Sequence, residues 1–161
     1  MRLRHGKFDQ VTQYDEQPAA RLSAFAAEGA EWIHIVDQDG AEPGAARQHA
    51  LIGELAQALE IKIQSGGGVR SANDVAKLLE AGVARVVVGS LAVTQPNDVA
   101  AWLKGFGPER ITLALDVKIE DGEPVPALKG WTQSSGVTLR EALDRSPTDR
   151  AILLVVPEVG G

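Results

Sequence analysis

Ile63-Gln64-Ser65-Gly66-Gly67-Gly68-Val69-Arg70-Ser71 is an apolar, strand-like run that ends in three glycines and passes straight into a polar helix start. Glycines at such a junction let the backbone approach a ligand closely, and the N–H groups that open the next helix can then face an anion. A second strand end of the same kind follows about one strand–helix unit later, at Val86-Val87-Val88-Gly89-Ser90. A lone glycine run is equally well a tight turn. Two successive strand ends that both finish in glycine favour a phosphate-binding rim.

Working outward, short β-branched runs alternate with Ala/Leu-rich stretches. The spacing predicts a helix over about 18–28, stopped by Gly29, and a strand at Trp32–Val36. A helix over about 46–59 precedes a strand at Ile61–Gln64. Ser71 reads as the N-cap of a helix that runs to Ala81 and stops at Gly82. Arg85–Val88 is the next strand, and Pro96 suits the first turn of a helix over about 95–105. Ile111–Val117 is a strand, Asp121-Gly122 a turn signal, 138–145 a short helix and Ile152–Val156 a last strand.

Such alternation, with nearly all-apolar strands, describes a parallel sheet buried on both faces. The segment Gly29-Ala30-Glu31-Trp32-Ile33-His34-Ile35-Val36 is echoed by Gly82-Val83-Ala84-Arg85-Val86-Val87-Val88, which fits repeated βα modules. An open dinucleotide-binding sheet needs G-x-G-x-x-G after its first strand, and Gly66-Gly67-Gly68 lacks that spacing. The polar candidates Asp37, Asp39, the glycine triplet, Gly89-Ser90 and Asp116 all fall at carboxyl ends of strands. In a closed βα barrel function gathers there, so a barrel is expected.

The chain has 161 residues, enough for one domain with a sizeable core. Its net charge of −6 argues against a nucleic-acid surface but not against a phosphorylated small molecule. There is no cysteine, which excludes disulfides, thiolate metal sites and cysteine nucleophiles. No apolar run approaches the roughly 20 residues that span a bilayer, and no signal peptide opens the chain, so a cytosolic protein without membrane partners is expected.

Asp116 ends the apolar run Leu113-Ala114-Leu115-Asp116-Val117. Desolvation there raises a carboxyl pKa and suits it to proton donation, although a loop cap is the plainer reading. Asp37 and Asp39 either orient a substrate hydroxyl or cap loop amides. His34 falls on the strand face opposite Ile33 and Ile35, where it either reaches a phosphate or is a satisfied core histidine. Arg70 follows the glycine corner and Val69, where it either closes over a phosphate or is a solvated helix-start residue. Trp131, in the polar loop Lys129-Gly130-Trp131, suits stacking on a planar heterocycle or anchors that loop. Trp102 and Trp32 read as packing residues.

The run from Arg2 through Lys7-Phe8-Asp9-Gln10 to Tyr14 resembles the HisA branch of the histidine-biosynthesis isomerases. So do Gly29 to Ala41, Gly66 to Ser71, Gly82 to Ser90, Leu115-Asp116-Val117 and Gly130-Trp131. The resemblance runs from Arg2 to about Val155 and implies a (β/α)₈ TIM barrel of one domain. It implies an Amadori rearrangement of a bis-phosphorylated aminoaldose (ProFAR) to the aminoketose (PRFAR), with no cofactor and no metal. On that basis Gly67, Gly68, Arg70, Gly89 and Ser90 bind one phosphate. Asp116 is the general acid, Trp131 stacks on the imidazole carboxamide, and His34 and Arg2 contact substrate. The family's first-strand aspartate, its general base, has no counterpart here, and its last two βα units are not matched. The expectation is therefore an incomplete barrel with impaired turnover and self-association through unpaired sheet edges. A non-catalytic phosphate-binding fragment or scaffold is the alternative. A cyclase relative of the same pathway fits less well, given Trp131 and the Trp32-to-Asp37 run.

Overall fold

The computed structural model describes residues 2–4, 7–12, 17–41, 48–128, 133–144 and 152–155. The chain divides into two compact units, Met1–Val87 and Val88–Gly161.

The first unit opens with strands β1 (Arg2–Arg4) and β2 (Lys7–Thr12), paired antiparallel with a register shift between Leu3 and Arg4. This pair is absent from the sequence reading, whose first element is the helix at Pro18. That helix, α1 (Pro18–Ala27), carries its proline in the first turn, where no N–H is needed. Next come β3 (Trp32–Val36), the single turn α2 (Gln38–Ala41), α3 (His49–Ala58), β4 (Lys62–Gly66), α4 (Ala72–Glu80) and β5 (Arg85–Val88). Strands β3, β4 and β5 are parallel, with Ile33 opposite Ile63, His34 opposite Gln64 and Gln64 opposite Arg85. Parallel pairing requires crossovers of a dozen residues or more, and α3 and α4 supply them.

Strand alternation sends Ile33, Ile35 and Ile63 to one face, where they pack with Leu22 of α1 and Leu55 of α3. Full burial of an aliphatic side chain such as Ile63 stabilises the fold by about 1.5–3 kcal/mol. The other face differs from expectation. Trp32, His34 and Val36 are exposed on it, Trp32 at 39% and Val36 at 45%. Among the described residues, β3 is thus covered on one side only. Helix α4 begins as its sequence predicts: the Ser71 Oγ accepts from the Asp74 amide at 3.3 Å and donates to Asp74 Oδ2 at 2.9 Å.

The second unit holds α5 (Leu91–Thr94), α6 (Pro96–Phe106), β6 (Ile111–Glu120), β7 (Glu123–Leu128), β8 (Gln133–Ser134), α7 (Leu139–Asp144) and β9 (Ile152–Val155). β6 is parallel to β9, with Asp116 opposite Val155, and antiparallel to β7, from Val117–Pro126 to Glu120–Glu123. Asp121 and Gly122 both have positive φ, 51° and 85°, as a type I′ hairpin requires. Because the hairpin continues the ladder, β6 runs three residues past the expected end at Val117. Ile111, Leu113, Leu115 and Val117 are buried on one face of β6. Thr138 and Glu141 cap α7 reciprocally: the Thr138 amide donates to Glu141 Oε2 at 2.7 Å, and the Glu141 amide donates to Thr138 Oγ1 at 3.2 Å. Among the described residues no helix is long and apolar enough to cross a membrane.

Candidate functional site

In the first unit the glycine triplet sits where β4 meets the loop that follows β3. β4 extends through Gly66, whose carbonyl accepts the Asp37 amide at 2.8 Å. A Cβ on Gly66 would meet the Val87 Cβ and carbonyl oxygen, each at 2.8 Å. Gly67 and Gly68 have φ of 101° and 67°, and a Cβ on them would run into the Asp37 backbone and the Gly40 carbonyl respectively. Gly67 and Gly68 therefore make room for the chain's own β3–α2 segment, and Gly66 for β5.

That segment is held from within. Asp37 is 4% exposed; its Oδ1 accepts from the Gly40 amide at 2.8 Å and its Oδ2 from the Gln48 amide at 2.7 Å. Of the two readings of Asp37, the cap on loop amides is the one the geometry carries. Asp39 is exposed and accepts from Gln48 Nε2 at 3.1 Å. Arg70 donates its backbone N–H to Asp74 Oδ2 at 3.0 Å and Nη2 to the Gly40 carbonyl at 3.1 Å. Asp37, Gly40, Gly66 and Arg70 are thus joined by hydrogen bonds in one corner, against which Gly67 and Gly68 pack closely, with the guanidinium braced against the loop.

His34 stands three residues before Asp37, on the exposed face of β3. Its Nδ1 lies 2.9 Å from Gln64 Nε2. Protein atoms crowd the ring enough that desolvation lowers its pKa, despite its exposed surface. A cavity of about 360 Å³ opens on this face, lined by Trp32, Ile33, His34, Gln64 and Arg85. Trp32 is not a packing residue: the Arg85 guanidinium lies 4.7 Å and the Lys62 ammonium 5.4 Å from its ring centroid. Sequence reasoning passed over Gln64 and Arg85, whose place here follows from cross-strand register. Arg2 belongs to β1, and Trp131 lies outside the described residues.

In the second unit Gly89 follows β5 and differs from the triplet. Its φ is not in the left-handed region, and among the described residues a Cβ there would meet only the Ala114 carbonyl, at an ordinary 3.9 Å. Neither backbone conformation nor a neighbour within this unit demands glycine, so the residue leaves space unfilled. Ser90 is exposed at the start of α5, and its side chain makes no capping bond. Ala114 precedes Asp116 by two residues on the same face of β6. Asp116 is half-buried, and desolvation raises its carboxyl above the usual value of 3.8. A carboxylic acid so shifted keeps its proton to higher pH, the property a general acid needs. A larger cavity, about 560 Å³, lies between β7 and α7, lined among others by Pro124, Leu139 and Leu143. Neither Asp116 nor Gly89 lines it, and the chemistry is not placed there. Among the described residues no three His, Asp or Glu side chains gather as a metal-holding group.

The family described as histidine biosynthesis protein matches residues 1–160. A protein of Klebsiella pneumoniae subsp. pneumoniae named 1-(5-phosphoribosyl)-5-((5-phosphoribosylamino)methylideneamino) imidazole-4-carboxamide isomerase is 50% identical over 145 residues, 89% of this chain and 59% of the relative. A protein of the same name from Maricaulis maris is 51% identical over 143 residues, 89% of this chain and 58% of the relative. A third, from Alteromonas mediterranea, is 47% identical over 145 residues. The chain spans about three-fifths of the length of the curated relatives it matches.

Proposed function

The chain belongs to the histidine biosynthesis protein family of (β/α)₈ barrels, and from that premise we propose that it takes part in an aldose–ketose isomerisation of a phosphoribosyl imidazole carboxamide. Its relatives at 47–51% identity carry that isomerase name. The observation that best supports the reading is Asp116, a half-buried carboxyl with a raised pKa on a parallel strand.

In the reaction proposed, Asp116 gives its proton to the ring oxygen of the aminoaldose as the bond from that oxygen to C1 breaks. The nitrogen lone pair forms the C1–N double bond, leaving an open-chain iminium. Loss of the C2 proton to a base returns the electrons to nitrogen through an enolamine, and tautomerisation yields the C2 ketone and C1 amine. No atom is gained or lost, and no redox partner enters. Gly67, Gly68 and Arg70 of the first unit, and Gly89 and Ser90 of the second, are assigned as phosphate contacts. Backbone amides and a guanidinium suit a dianion. His34, Arg2 and Trp131 are assigned to the rest of the substrate. On this reading the activity is a cytosolic one.

The test is conversion of the bis-phosphorylated aminoaldose by the chain, followed chromatographically beside a calorimetric binding curve. Conversion supports the isomerase. Saturable binding with no product would favour a phosphate-binding module instead.

A further inference from the structure

We infer that Gln64 is a positioning residue for His34, fixing its imidazole as the Nε2–H tautomer so that β3 presents a hydrogen-bond donor to an anionic oxygen of the ligand. The inference rests on the reading that His34 meets substrate, but the tautomer can be measured without it.

His34 and Gln64 are direct partners across the parallel β3–β4 pair, and the amide Nε2 lies 2.9 Å from Nδ1. An amide NH₂ offers two donors and no acceptor, so the ring atom facing it must present a lone pair. Nδ1 is then unprotonated. A second proton on the ring is opposed by burial, which lowers the His34 pKa. Two cations stand on the same face of the sheet. These are Arg85, opposite Gln64 on β5, and Lys62, opposite Trp32 on β4. A neutral imidazole whose Nδ1 accepts must carry its proton on Nε2.

The consequence is chemical. His34 can donate through Nε2 to a phosphate or carboxamide oxygen, and it cannot serve as a base at that atom. Arg85, which lines the same cavity, adds a planar cation beside the donor. Gln64 is the middle residue of β4 and carries no other signal in the sequence. Only the register assigns it this task.

The experiment is ¹⁵N-edited NMR of the imidazole nitrogens in the intact chain, with the His34 signals assigned by their loss in His34→Asn. The expected spectrum at neutral pH has Nδ1 unprotonated and Nε2 protonated. Gln64→Glu replaces the donor with an acceptor; it should move the proton onto Nδ1 and raise the His34 pKa by about one to three units. Phosphate that binds at this face should perturb Nε2 more than Nδ1. A proton on Nδ1 in the unmodified chain overturns the inference, as does a tautomer that Gln64→Glu leaves unchanged. Should the glutamate variant not fold, the spectrum of the unmodified chain still decides. A chain with the expected tautomer but no isomerisation would count against the proposed function and leave this assignment standing.

Discussion

Arg70 donates its Nη2 to the Gly40 carbonyl oxygen at 3.1 Å, so a side chain at the start of α4 braces the loop that leaves β3. The same Gly40 carbonyl occupies the space where Gly68 would carry a Cβ. Removing the guanidinium takes away both the brace and the cation assigned to phosphate. Arg70→Ala should weaken binding of inorganic phosphate about 10- to 100-fold by calorimetry, the scale of a charged hydrogen bond worth about 1.5–3 kcal/mol. Arg70→Lys should recover little of it, because a point charge does not reproduce the planar fork. Unchanged affinity in the alanine variant would remove Arg70 from the site.

The two glycine corners separate structure from binding. Gly68→Ala forces a side chain onto φ of 67° and against the Gly40 backbone, so stability should fall by about 1–3 kcal/mol, read from a denaturant midpoint. Gly89→Ala meets no such obstacle and should stay within about 0.5 kcal/mol of the parent, yet bind the phosphorylated substrate more weakly. Equal binding by the Gly89 variant and the parent would show that its empty space serves no ligand.

Asp116 links function to a stability cost. Its folded pKa lies above the unfolded value, so the folded state holds more protons in the window between the two, and stability falls as pH rises through that window. Asp116→Asn removes the cost. The variant should be the more stable of the two at pH 7, with the difference vanishing below the usual carboxylate pKa. Thermal melts at several pH values check this, and a variant no more stable at neutral pH would contradict the desolvated acid.

Asp37 should behave as a structural carboxylate. It is buried and accepts two backbone amides, so Asp37→Ala strands the Gly40 and Gln48 N–H groups at about 1–3 kcal/mol for a group left buried and unpaired. Hydrogen exchange at Gly40 should accelerate in parallel. If the fold tolerates alanine and substrate binding alone suffers, Asp37 is a ligand contact and not a cap.

Local signals in this chain were legible wherever one residue decides the geometry. Pro18 and Pro96 open their helices, Ser71 caps α4, and Asp121-Gly122 turns a hairpin, all as their chemistry predicts. The parallel βα alternation and the raised pKa of Asp116 were equally readable, because apolar runs and a lone carboxyl within one imply them. What depends on pairing was not. The partnership of His34 with Gln64 needs the register of two strands 30 residues apart, and Asp37 finds the Gln48 amide 11 residues away. The exposure of one side of β3 is not legible either, since Trp32, Ile33, Ile35 and Val36 together read as an apolar strand buried on both faces. The pair of strands before Pro18 has no strict alternation to announce it.

Turnover of Asp116→Asn beside the parent chain tests the central claim most directly, with the bis-phosphorylated aminoaldose as substrate. The account expects kcat to drop by about 10²–10⁴ while KM stays close to the parent value, because an amide fills the same volume but cannot hand over a proton. Parent and variant turning over at the same rate would contradict it.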